Sequence, residues 1–151
     1  MEYFKNKAET YFREVRGIEV YKSSDILYDD NFKGIYPVLQ VPLFKFDIVP
    51  DTFSRKVLTK TKNGNYFYDV DLGFPLLDLD PDIIAKCYEY FNRKGFAVVF
   101  ITNVEKLLLG NDREELTIEF IDGKKDDASG TDECNFSITG KTIIPPKYKK
   151  L

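Results

Sequence analysis

An Asn-Gly pair at positions 63 and 64 lies between two segments of alternating residue type and predicts a β-hairpin near the middle of the chain. Both central residues of a type I′ turn need positive φ, and Asn-Gly meets that need well. The first strand covers residues 56–61 and the second covers residues 66–72. In the second strand, apolar and aromatic side chains share one face, while Asp69 and Asp71 lie on the other. Antiparallel strand pairing is therefore expected at the centre of the chain.

A second local signal predicts a helix that begins at Pro81 and ends before Gly95. Asp80 is a typical N-cap residue, and proline is well tolerated in the first helical turn. Arg93 and Lys94 suit the last turn, where the helix dipole is negative. The apolar residues of this segment recur at helical spacing and predict a buried stripe of Ile83, Ile84, Cys87, Tyr88 and Phe91.

Three further segments have the character of strands. Residues 96–102 are apolar on both faces, which predicts a central strand covered on both sides. Residues 116–121 and 134–139 alternate apolar with polar side chains and predict an antiparallel pair. The polar segment 123–133 between them predicts a long hairpin loop, a length that is uncommon unless the loop binds a partner or stays mobile.

The first part of the chain combines a predicted helix with a predicted extended arm. Residues 2–16 place apolar and aromatic side chains at helical spacing, and Gly17 is a typical helix stop. Residues 34–50 are rich in strand-forming types but contain Pro37 and Pro42, and proline cannot donate to a central ladder. The arm is therefore predicted either to wrap its own domain as an edge strand or to add to the sheet of a neighbouring copy.

Together these elements predict an α+β fold in which two amphipathic helices pack on a mainly antiparallel sheet, with an extended arm and a long hairpin loop. A chain of 151 residues has the ordinary size of one domain. Within this single domain, 1–151, we assign residues 1–17 to the N-terminal helix, 34–50 to the extended arm, 55–144 to the helix-and-sheet core and 145–151 to a basic tail.

The composition narrows the classes of function. The chain has no histidine, so it lacks the side chain most often used for proton transfer near neutral pH and the commonest metal ligand. Cys87 and Cys134 are predicted to be buried, reduced and equivalent to small hydrophobic side chains. A formal net charge of −3 does not favour nucleic-acid binding by phosphate neutralisation. The sequence contains neither a secretory signal nor an apolar run of membrane-spanning length, so we expect a protein that is neither secreted nor membrane-bound.

The acidic residues do not complete a recognisable metal site. Asp78, Asp80 and Asp82 match the first positions of a calcium-binding loop, but Ile83 stands where the sharp turn needs glycine. The acidic residues of the 123–133 loop would bind a cation only weakly, because a mobile loop must first be ordered. We therefore predict no cofactor, no metal and no catalytic residue. The least favoured alternative is a metal-dependent hydrolase that uses Asp69, Asp71, Asp78 and Asp80.

The order of elements in the second half of the chain resembles a known class of viral proteins. The capped helix 81–95, the apolar strand 96–101 and the paired strands 116–121 and 134–139 look like the helix-and-sheet design of tail-completion and connector proteins of tailed bacteriophages. This resemblance implies a non-enzymatic structural subunit of a phage neck or tail. It implies a ring formed with copies of itself, contacts with adjoining virion proteins, synthesis in the host bacterial cytoplasm and a final location in the virion.

A function that depends on interfaces needs contact residues. The candidates come from the arm, the hairpin tip, the long polar loop and the basic tail. They are Tyr36, Val38, Leu39, Val41, Leu43, Phe44, Phe46, Asn63, Gly64, Asp126, Asp127, Lys147 and Tyr148. The alternative function is a soluble monomeric adaptor, immunity protein or inhibitor that binds a single protein partner. Stoichiometry separates the two, because a ring subunit contacts copies of itself.

Overall fold

The computed structural model describes residues 14–28, 41–49, 52–77, 79–125, 130, 132–144 and 147–150. About 60% of these residues lie in β-strands. The strands are β1 (Val15–Lys22), β2 (Phe44–Asp47), β3 (Ser54–Lys62), β4 (Asn65–Leu77), β5 (Arg93–Thr102), β6 (Glu105–Leu109), β7 (Leu116–Gly123), β8 (Glu133–Thr142) and β9 (Lys147–Lys150). The same ranges contain one α-helix, α1 (Pro81–Tyr90), and one turn of 3-10 helix (Ser23–Asp25).

The strands pair antiparallel in the order β2-β1-β5-β7-β8-β4-β3, and β5 branches this sheet. One edge of β5 pairs with β1, while the other edge is shared by two strands. β7 pairs with the beginning of β5, where Arg93 lies opposite Ile118, and β6 pairs with its end, where Phe100 lies opposite Leu107. β9 extends the second branch by pairing with β6. The whole sheet curves into a half-barrel.

β5 is buried on both faces, as its apolar sequence predicts. Phe96, Val98 and Phe100 belong to the main core, whereas Ala97 and Val99 belong to a smaller cluster on the opposite face. Tyr21 and Ile26, on either side of the 3-10 turn, and Leu108 of β6 complete that smaller cluster. The prediction of a central strand over residues 96–102 is confirmed.

Phenylalanine rings fill much of the main core. Phe136 of β8 is 3% exposed and contacts four other rings, with centroid separations between 5.2 and 5.7 Å. Those rings belong to Phe46, Phe74, Phe91 and Phe120. Such separations are typical of favourable aromatic pairs. Because the five rings come from β2, β4, β7, β8 and the end of α1, they join the helix to widely separated parts of the half-barrel.

The beginning of α1 agrees with the sequence prediction. Pro81 is the first helical residue and Asp80 occupies the N-cap position. Ile84 and Cys87 of the predicted stripe are buried. Tyr88 is 57% exposed, so the prediction that it belongs to the buried stripe is wrong. Its ring packs edge-on against Phe120, and its hydroxyl donates to the Asp122 carboxylate at 3.0 Å.

The end of α1 differs from the prediction. The helix stops at Tyr90, and Asn92 adopts a positive φ of 64° that leads the chain into β5. The Asn92 side chain accepts a hydrogen bond from the backbone N–H of Phe120 at 3.0 Å, which ties this turn to β7. The prediction that Arg93 and Lys94 form the last helical turn is wrong, because both residues pair with β7.

The predicted hairpin is confirmed. Asn63 and Gly64 connect β3 to β4 with φ values of 53° and 79°, and positive φ at both positions is the requirement of a type I′ turn. Lys62 and Asn65 lie opposite each other on either side of this turn. The predicted strand pair over residues 116–121 and 134–139 is also present, as β7 and β8.

The predicted α+β fold with two helices packed on a sheet is wrong. The described residues form a mostly antiparallel half-barrel with one helix. Residues 1–13 of the predicted N-terminal helix lie outside the described part, and its last residues, Val15 to Gly17, begin β1. In β1, Ile18 lies opposite Phe100 and Val20 lies opposite Val98. This long-range pairing overrides the local helical spacing.

The described part of the predicted arm lies on its own sheet. β2 pairs with β1, and the flanking backbone extends this ladder. The Leu43 N–H donates to the Val20 carbonyl at 2.7 Å, and the Ile48 N–H donates to the Arg16 carbonyl at 2.9 Å. Residues 34–40 lie outside the described part. In the predicted basic tail, residues 147–150 form β9 beside β6.

Both cysteines are buried and free, as predicted. Burial raises the pKa of the Cys87 thiol from 9.0 to about 11, and the nearby Cys134 adds to the rise. The folded chain therefore keeps this proton at pH values where the unfolded chain loses it.

We expect the free energy of unfolding to decrease as the pH rises from about 9 toward about 11, because the unfolded state then binds fewer protons at Cys87. Below pH 9 this contribution is fully present. Urea unfolding measured across this range in the parent and in a Cys87→Ala variant tests the prediction. The variant should show the shallower decrease, and equal decreases in the two proteins would contradict it. Tyr21, whose pKa is raised to about 12 mainly by burial, contributes equally to both.

Candidate interaction surface

The terminal strand β3 has one side that no described strand pairs with. It lies at the end of the sheet path, and its pairing partner β4 occupies only one of its two edges. The ladder between them runs without a break from Ser54 opposite Gly73 to Lys62 opposite Asn65. We call the other side of Ser54–Lys62 the β3 edge.

The hairpin turn determines which backbone groups point toward the β3 edge. Lys62 and Asn65 flank a two-residue turn, so they form a hydrogen-bonded pair. Hydrogen-bonded and non-hydrogen-bonded pairs alternate along an antiparallel ladder. The N–H and C=O groups of Val57, Thr59 and Thr61 consequently point away from β4. These groups form a row of donors and acceptors that no strand of the described part pairs with.

The side chains of β3 that face the outside of the half-barrel form a basic stripe. Lys56, Leu58, Lys60 and Lys62 alternate along the strand, and we call them the lysine stripe. All four are exposed, with Leu58 at 41%. The Lys60 ammonium donates to the Asp69 carboxylate at 2.7 Å, which lowers the pKa of Asp69. Ser54–Lys62 contains four basic residues and no acidic residue, although the whole chain has a net charge of −3.

The hairpin projects beyond the neighbouring strand. The pairing of β8 with β4 ends where Thr142 lies opposite Tyr68, so residues 60–67 extend past it. Tyr66 in this projection is 66% exposed. Phe67 packs beneath the Lys141 ammonium, which lies 5.5 Å from the ring centroid. The projection therefore presents both the turn and an aromatic side chain to solvent.

A groove of about 540 Å³ lies on the outer face near the loop that precedes β7. Lys94, Thr117, Thr139 and Lys141 form part of its lining. Glu114 also lines it, but its carboxylate accepts hydrogen bonds from the Thr142 hydroxyl at 2.8 Å and from the Ile143 N–H at 2.5 Å. These bonds anchor the end of β8 to the loop, so the chief role of Glu114 is structural.

Four of the predicted interface residues come from the described part of the arm. Val41 is 82% exposed, whereas Phe46 is 7% exposed and belongs to the core. Leu43 and Phe44 are half-buried and pack against that core. The Phe44 ring contacts Phe91 at a centroid distance of 4.9 Å. Among residues 41–49, the described part of the arm, Val41 is the large apolar residue most accessible to a partner.

The remaining candidates divide between the hairpin tip and residues outside the described part. Asn63 and Gly64 are exposed at the tip. The backbone of Lys147 and Tyr148 lies in β9. The candidates outside the described residues are Tyr36, Val38, Leu39, Asp126 and Asp127.

The lysine stripe was missed by the sequence reasoning, which selected only the hairpin tip. The pattern Lys-x-Leu-x-Lys-x-Lys over residues 56–62 is a usable signal, because alternate positions share one face of a strand. The stripe can meet a partner strand only because β3 is a terminal strand, and the local sequence does not show the position of β3 in the strand order.

Among the described residues, no group of three or more potential ligands is placed to hold a metal ion. Asp69 is paired with Lys60, and Asp78 of the hydrolase alternative lies outside the described part.

The helix of the described ranges is too short and too polar to cross a membrane. A comparison of the chain with protein-family models, curated proteins and solved structures finds no match.

Proposed function

We propose that this chain is a non-enzymatic structural subunit of a phage neck or tail, which assembles as a ring with copies of itself and with adjoining virion proteins. Such a subunit needs two kinds of contact surface, one for its copies and one for a different protein. A ring also requires a heterologous contact, in which two different surfaces of the subunit meet.

The chemical difference between the two ends of the sheet path supports this proposal. One end is β2, preceded by the exposed apolar Val41 of the arm. The other end is β3, with its lysine stripe and its row of outward backbone groups. We assign the arm end to one side of the contact between copies and the β3 edge to a contact with another protein. The phage resemblance rests on an order of elements in the second half of the chain, where the described residues form α1, β5, β6 and the β7–β8 pair.

Light scattering coupled to size exclusion, at low and high protein concentration, tests the assembly. We expect either a discrete ring mass or a mass that rises with concentration. A mass of 17.6 kDa at every concentration would contradict the ring and favour the single-partner adaptor.

Two matched variants test whether the arm end makes the contact between copies. Val41→Lys places a charge on the arm, and Leu27→Lys places the same charge at a site that is 65% exposed elsewhere on the surface. Only Val41→Lys should reduce the oligomer mass, because a buried lysine without a partner opposes association. Equal masses for both variants would show that the arm end lies outside the contact.

A further inference from the structure

We infer that the β3 edge receives an extended strand from a different protein, and that this strand carries acidic side chains at alternate positions around one apolar residue. The inference rests on the proposed function, since it names the chemistry of the partner that the second end of the sheet would contact. It describes strand addition, in which backbone hydrogen bonds provide affinity and alternate side chains provide specificity.

The backbone geometry provides the first part of the argument. Val57, Thr59 and Thr61 direct their N–H and C=O groups away from β4, in the repeat that an added antiparallel strand requires. The strand is nine residues long and held in register by an unbroken ladder, so the row is pre-ordered before a partner arrives. A pre-ordered edge lowers the entropy lost on binding.

The side chains provide the second part. An added strand places its outward side chains opposite the lysine stripe, at cross-strand distances where opposite charges attract. Acidic side chains would therefore face Lys56, Lys60 and Lys62, and an apolar side chain would face Leu58. Lysines on a terminal strand repel other basic edges, and they lose hydration without a compensating charge when a neutral edge covers them, so the same stripe discourages non-specific pairing.

The terminal strands of the described part do not have the charges that would let a second copy pair with the lysine stripe. Pairing two β3 edges would place lysines against lysines. β9 has the sequence Lys-Tyr-Lys-Lys, and β2 has one lysine and one aspartate in four residues. None of the terminal strands in the described part supplies the alternating acidic residues that the stripe fits.

A synthetic peptide tests the inference. The probe is the fluorescein-labelled heptapeptide Glu-Thr-Glu-Thr-Val-Thr-Glu, which in antiparallel pairing places its glutamates opposite the lysines and its valine opposite Leu58. Fluorescence anisotropy with the intact chain should show saturable binding that weakens with added salt, as expected for partly exposed charge pairs. Absence of binding at low salt would overturn the inference. The same peptide with lysine in place of glutamate should not bind, and equal binding would overturn the role of charge.

Two further comparisons separate strand addition from simple charge attraction. The glutamate peptide methylated on the backbone nitrogens of its threonines, which lie opposite Val57, Thr59 and Thr61, keeps its charges but cannot complete the ladder. We therefore expect its binding to be lost. Equal affinity of the methylated peptide would overturn strand addition without requiring any change to the protein.

Thr59→Pro removes one outward N–H and spares the hydrogen bonds to β4. Terminal strands tolerate proline at such a position. It should also abolish binding, with retention of fold checked by circular dichroism.

A matched pair of charge reversals locates the contact. Lys56→Glu on the stripe and Lys86→Glu on α1 change the net charge equally, and both positions are exposed. Lys56→Glu should weaken peptide binding about five- to tenfold, while Lys86→Glu should leave it within about twofold. Equal weakening by both variants would place the peptide elsewhere.

The ring and strand addition can fail separately. Peptide binding to a chain that stays monomeric would contradict the ring but support strand addition. A ring that fails to bind the peptide would contradict strand addition alone.

Discussion

Replacing Phe136 with alanine is expected to lower the free energy of unfolding by about 3–5 kcal/mol. The side chain is almost completely buried and contacts four other phenylalanine rings. Removing the ring loses the favourable free energy of transferring it from water to the core. It also leaves a cavity, because the neighbouring rings on β2, β4, β7 and the end of α1 cannot all move inward. Urea titration followed by circular dichroism measures the change.

A second aromatic truncation serves as the control for Phe136→Ala. Tyr66 is 66% exposed on the projecting hairpin, so Tyr66→Ala should change the free energy of unfolding by no more than about 0.5 kcal/mol. Similar losses in the two variants would show that the aromatic cluster is not the centre of the core.

The variant Gly110→Ala should also be strongly destabilising, at about 2–5 kcal/mol. Gly110 has a φ of +89°, and a Cβ there would lie 3.1 Å from the Ala97 Cα, the Leu116 Cγ and the Phe96 carbonyl oxygen. Two of these three atoms are backbone atoms of β5, which cannot move without disturbing the strand that connects both branches of the sheet. Thermal and urea unfolding provide the measurement.

Gly64→Ala separates the two causes of this loss. Gly64 also has a positive φ, +79°, but a Cβ there meets no atom within 4 Å. This variant bears only the backbone strain, about 1–2 kcal/mol. The excess loss in Gly110→Ala, about 1–3 kcal/mol, therefore measures the steric conflict with β5. If the two variants lose the same free energy of unfolding, the structure accommodates the Cβ at Gly110 without a steric cost.

The features that the sequence predicted correctly are those determined by neighbouring residues. The Asn63-Gly64 turn needs only the conformational preferences of two residues, and the beginning of α1 needs only Asp80 and Pro81. The burial of residues 96–102 follows from an apolar run with no polar face. In each case the deciding interactions lie within a few positions in the chain.

The features that were predicted wrongly depend on distant residues. The segment Val15–Gly17 is strand because β5 lies beside it, and β5 begins about eighty residues later. The end of α1 is set by the pairing of Arg93 and Lys94 with β7. The lysine stripe is visible in the sequence, but its position at an unpaired side of the described sheet follows from the strand order alone.

The branch at β5 has a consequence for synthesis of the protein. β1 pairs with β2 on one side and with β5 on the other, and β5 lies between β1 and both branches of the sheet. At ordinary translation rates the intervening residues take roughly 4–16 s to make, and through that interval the apolar residues of β1 have no β5 to pair with. The side of β1 that joins it to the rest of the sheet is therefore paired late, and a nascent chain that stalls before β5 emerges exposes apolar surface of the kind that chaperones bind.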